Sequence, residues 1–137
     1  MIVAGIFLTG HTARICTLSG NRQNHSLIAE KFHKIDLNKN PTQEDVEVFS
    51  MAFRAFCTDH SVDYVCINRR ATSGQGLGGA GTFLLEGILL AKCPVPMIFV
   101  HSATVTATNR RHQAQKTKKP TTVDLGKAYD LAFEKLG

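Results

Sequence analysis

Residues 63–93 read, in succession, DYVCINRR, ATSGQGLGGAG and TFLLEGILLAKC. The apolar run from Tyr64 to Ile67 is bounded by charges, the pattern of a central strand covered on both faces. Five glycines, Gly74, Gly76, Gly78, Gly79 and Gly81, then crowd into eight positions. Such a backbone takes positive φ or close approach easily, at a cost in ordering entropy. An apolar helix follows. A strand, a permissive polar turn and a helix put functional groups at the strand's carboxyl end, where α/β domains keep their sites.

Working outward, IVAGIFL (residues 2–8) predicts a buried strand, and Thr9 to Thr12 a tight turn into a second strand, ARICTL (13–18). SLIAEKFHKIDL (26–37) alternates loosely enough for a third strand, and its charges suit a sheet edge. Thr42 followed by Asp45 resembles a helix start. Val46, Phe49, Phe53, Phe56 and Cys57 then give that helix one buried stripe. VPMIFV (95–100) predicts a fifth strand, and residues 123–136 a last helix with Val123, Leu125, Ala128, Leu131, Ala132 and Leu136 on a common face. Between these two, residues 101–121 read as a polar basic connector.

A chain of 137 residues buries enough surface for an ordinary core and fits a single domain over residues 1–137. Its four cysteines are scattered singly through apolar segments, so they read as buried free thiols in a reducing compartment, and a cytoplasmic location is expected. MIVAGIFLTG is too short and too lacking in basic flanks for a signal peptide or membrane span, so no membrane partner is expected. The six histidines show no metal-binding spacing, and the serines and cysteines no triad context for a nucleophile. A net charge of +5 favours a polyanionic partner without requiring one.

The charge is concentrated in two places: Arg69 and Arg70 before the glycine stretch, and Arg110, Arg111, His112, Lys116, Lys118 and Lys119 in ten positions. The glycine stretch lacks the Gly-Lys-Ser/Thr ending of a P-loop. Even so, Gly76, Gly78 and Gly79 precede a helix amino terminus, where a backbone can cradle phosphate. Alternatively the glycines form a bare connection or a flat contact for a second subunit. The basic run likewise reads either as a phosphate-contacting surface or as a solvated connector.

VAGIFLTG, together with INRRATSGQGLGGAGTFLLEGILLAKCPV, resembles the ribonuclease-H-like superfamily. More closely, it resembles RuvC-type Holliday-junction resolvases and an uncharacterised bacterial family of similar length. The resemblance implies an α/β fold with a five-stranded mixed sheet in the order 3-2-1-4-5, element order β-β-β-α-β-α-β-α, and helices on both faces. It also implies a pair of divalent cations held by three or four carboxylates. Here the first-strand acid falls on Phe7 and the fourth-strand acid on Asn68. Phe7 cannot ligate a hard cation and Asn68 carries no charge. The remaining candidates are Asp63, Glu86, Asp124 and Asp130, of which Asp130 best matches the last-helix position.

The expectation is therefore a domain without catalysis or resident metal that binds nucleic acid. Arg69, Arg70, Gly76, Gly78, Gly79, Arg110, Arg111, Lys116, Lys118 and Lys119 would contact phosphate, with Asn68 and His101 at the site's edge. The alternatives are a Mg- or Mn-dependent nuclease with rearranged carboxylates, and a homo-oligomeric interaction protein.

Overall fold

The computed structural model describes residues 1–69 and 79–137. In chain order it comprises β1 (Ile2–Thr9), β2 (Thr12–Gly20), β3 (His25–Ile28), β4 (Lys34–Asp36), α1 (Gln43–Asp59), β5 (Tyr64–Asn68), α2 (Ala80–Lys92), β6 (Met97–Val100), α3 (Ser102–His112) and α4 (Val123–Lys135). A short 3-10 turn, Gln113–Gln115, follows α3. The strands run β3-β2-β1-β5-β6, the expected order, with β4 also paired to β2. β1 is antiparallel to β2 and parallel to β5, and β5 is parallel to β6.

The alternation of β1 assigns its residues to two cores. Ala4, Ile6 and Leu8 pack with Phe49, Phe53 and Phe56 of α1 and Leu85, Ile88 and Leu89 of α2. Val3 faces the opposite side with Cys16, Leu18 and Cys66, under Tyr129, Ala132 and Phe133 of α4. Gly5 lets α4 approach: a Cβ there would lie 1.9 Å from the Ala128 carbonyl oxygen. The backbones of β1 and α4 therefore meet without an intervening side chain, as only glycine permits. α1 begins as its sequence dictates, with a capping box in which the Thr42 hydroxyl accepts from the Asp45 N–H and the Asp45 carboxylate accepts from the Thr42 N–H.

Two elements differ from expectation. The third strand is two short strands, because Ala29 takes a φ of 54° and the Phe32 N–H closes a turn onto the Ala29 carbonyl. Both pieces return to pair with β2, which alternation alone does not reveal. The basic connector is largely helix: Ser102–His112 forms α3. Its threonines and asparagine carry weak helix propensity, and its inward stripe shrinks to residues such as Val105 and Thr108, so tertiary packing decides the conformation. No described helix is long and apolar enough to cross a membrane.

Candidate functional site

The parallel strands β1, β5 and β6 end together, with Ile6 opposite Ile67 and Asn68 opposite Val100. Beyond those ends, α3 and α4 wall a cleft of about 350 Å³, whose lining includes Phe7, Asn68, Val100, Val105, Lys127 and Asp130. The Asn68 side-chain oxygen is 3.5 Å from the Leu8 amide nitrogen, so it faces the β1 backbone. The Lys127 ammonium sits 4.8 Å from the centre of the Phe7 ring, a cation–π contact at the mouth of the cleft.

Asp130 is buried, and each of its oxygens is held by a lysine: Lys116 Nζ lies 2.7 Å from Oδ1 and Lys119 Nζ 2.9 Å from Oδ2. The Lys116 ammonium also donates to the Asn109 side chain and sits 5.0 Å from the Phe133 ring centre. Desolvation by burial lowers the Lys116 pKa, opposed by its hydrogen bond to Asp130. A carboxylate with both oxygens committed to ammonium groups has little left for a cation, and a lysine beside it repels one.

The other candidate acids lie elsewhere. Asp63 precedes β5 at the opposite end of the sheet, where Oδ2 accepts from the Ile2 amide at 2.8 Å. Glu86 belongs to α2, which packs on the other face of the sheet from α4. Asp124, in the first turn of α4, does not line the cleft. Among the described residues no three His, Cys, Asp or Glu side chains form a group that could hold a metal. The donors present do not fit a pair of divalent cations.

The basic residues divide by burial. Arg110 and Arg111 are exposed in the last turn of α3, where cations complement the helix dipole, and Lys118 is exposed beyond it. Lys116 corrects the expectation of a phosphate contact: its side chain is 1% exposed and its charge is spent on Asp130. Lys119 is partly accessible but shares that carboxylate. Arg69 is exposed and places its guanidinium 3.8 Å from the Phe99 ring centre. His101 caps α3 through its carbonyl, which accepts from Thr104 and Val105, and is exposed.

Gly79 is the exposed N-cap residue of α2, whereas Arg70, Gly76 and Gly78 lie outside the described residues. Gly81 has a packing reason, since a Cβ there would stand 2.6 Å from the Gly10 carbonyl oxygen and 2.5 Å from the His11 ring. Sequence reasoning missed Lys127. The available signal was a lysine three positions before Asp130 on the same helix, a spacing that places two side chains on one side of it.

The fold is shared with Thermus thermophilus RuvC, at a TM-score of 0.77 and 14% identity over 97% of this chain and 92% of that one. A structure of T. thermophilus RuvC in complex with Holliday junction substrate gives a TM-score of 0.76 at 14% identity, covering 97% and 90%. The yeast mitochondrial Holliday junction resolvase Ydc2 gives 0.54 at 15% identity, covering 96% and 74%. The architecture is thus the ribonuclease-H-like fold, shared with these resolvases. No curated protein matches the chain. Residues 1–135 match the model of the family described as "Protein of unknown function (DUF3010)", and the chain belongs to that family.

Proposed function

We propose that this chain is a single ribonuclease-H-like domain that has exchanged metal-dependent cleavage for binding, and that its ligand is nucleic acid. One observation carries the reading: where the fold's resemblance calls for carboxylates, Phe7 lies under a lysine and Asp130 is clamped by two more. A centre built to hold cations has been refitted with fixed positive charge. The exposed Arg110, Arg111 and Lys118 supply phosphate contacts outside the cleft, and Arg69 lines it. The fold shared with a RuvC that binds a Holliday junction substrate supports the choice of ligand.

The test is binding of labelled single-stranded, duplex and four-way-junction DNA, and matched RNA, across a salt series with and without Mg²⁺ or Mn²⁺, each mixture also run on a denaturing gel. Binding without cleavage is expected, with log K falling by about 0.9 per phosphate contact for each decade of salt on duplex. Arg110→Ala and Lys118→Ala should flatten that slope. Metal-dependent cutting overturns the reading. Absence of binding at moderate salt turns it towards the homo-oligomeric interaction protein, which the exposed Met51, Leu84 and Leu90 on α1 and α2 favour.

A further inference from the structure

We propose that the cleft at the ends of β1, β5 and β6 is a metal-free phosphate site for the terminal phosphate of a nucleic-acid strand, with the Lys127 ammonium doing the charge-neutralising work of a divalent cation. The inference deepens the nucleic-acid reading above and rests on it. Around the cleft, Arg69, Lys116, Lys119 and Lys127 stand against the carboxylate of Asp130, leaving an excess of three positive charges. Lys116 and Lys119 cancel the repulsion that Asp130 would otherwise exert on an anion, and Lys127, with Arg69 beside the same cleft, is left to meet it.

A terminal phosphate carries between one and a half and two negative charges at neutral pH, whereas an internal diester carries one, so the end group matches the excess better. The cleft's volume, about 350 Å³, is at the small end of small-molecule sites and suits a single nucleotide rather than a duplex. Phe7, Val100, Val105 and Leu131 give it an apolar floor, which strengthens a charged contact by excluding water. The first turn of α3 forms one wall through Ser102, and no described side chain caps that positive helix end.

The test titrates ¹⁵N-labelled protein in EDTA with the 5′-phosphorylated dinucleotide pTpT, unphosphorylated TpT and inorganic phosphate, following the amides of Asn68, Ser102 and Lys127. We expect pTpT to bind about tenfold more tightly than TpT, with shifts centred on the cleft, because a charge-assisted hydrogen bond is worth at least that factor. Lys127→Met should lose the preference and Lys127→Arg keep it, both with native amide dispersion. Equal binding of pTpT and TpT, a requirement for metal, or shifts confined to α3's last turn overturns the proposal. Inorganic phosphate binding as tightly as pTpT overturns the strand-end assignment. Long DNA that binds with a steep salt slope while pTpT leaves the cleft unperturbed sinks this inference and spares the binding module. The reverse pattern spares the cleft and sinks the wider reading.

Discussion

The two faces of the sheet are built from alternate residues of the same strands, yet they hold together by different means. On the α1 and α2 side, Ala4, Ile6 and Leu8 meet a phenylalanine stripe, and Phe32 stacks on Phe56 with ring centres 4.2 Å apart. On the α4 side, buried apolar residues share space with the Asp130 cluster, with a hydrogen bond of 2.6 Å between His25 and Tyr129, and with Thr108 donating to the Glu134 carboxylate. Burying charge costs more than burying methyl groups unless every partner is present. One face supplies stability, and the other spends part of it on fixing where α3, the basic turn and α4 stand.

The contrast breaks most sharply at Gly5. Gly5→Val should prevent α4 from docking, since even one Cβ collides with the Ala128 and Ala132 backbone. A loss above about 4 kcal/mol, beyond ordinary core substitutions, is expected in urea unfolding. The α1 helix, whose core does not touch Gly5, should retain more amide-exchange protection than α4. Equal loss of protection on both faces would show that the two cores do not open separately.

Asp130→Asn sharpens the contrast next. It leaves Lys116 buried without its counter-ion, and breaking a buried pair in this way costs about 3–5 kcal/mol. The combined Asp130→Leu and Lys116→Met variant should recover most of that loss, because apolar replacement of both partners is near neutral. If the double variant is as unstable as Asp130→Asn, packing rather than charge explains the cluster.

The smallest effect separates the faces by pH. Burial pushes the thiols of Cys16 and Cys66, under α4, and of Cys57, in α1, up to about 12 from 9.0. A group whose folded pKa is raised contributes stability in full below its unfolded pKa. That stability is lost as pH rises through the folded value, so the window runs from 9 to about 12. At pH 10 each thiol should account for about 1.4 kcal/mol of the decline. Comparing the denaturation midpoint at pH 8 and pH 10 for Cys57→Ala and Cys66→Ala checks this, each variant removing its own share. Wild-type stability that does not fall between those pH values would refute it.

Much of the fold was legible because it is local. The apolar run of β5, the alternation of β1, the Thr42–Asp45 capping box and the stripe of α1 each declare themselves within a few residues. What stayed hidden depends on partners distant in sequence. The split of β3 from β4 follows from one left-handed Ala29, a conformation alanine seldom signals. α3 is held by its neighbours more than by its own propensity. At the candidate site, Phe7 and Asn68 were readable by position as the residues at the ends of β1 and β5. The burial of Lys116 was not, because a lysine in a basic run looks solvated until Asp130, 14 positions on, is folded over it.

Arg22, in the turn after β2, donates to the Phe133 and Glu134 carbonyls at the end of α4, links spanning 111 and 112 positions. During synthesis the strands under α4 emerge from the ribosome long before the helix that covers them. Val3, Leu18 and Cys66 then wait as an open apolar surface, while α1 and α2 already shield the opposite side. The nascent chain is therefore a half-covered sheet, exposed to association through that one side until α4 closes it.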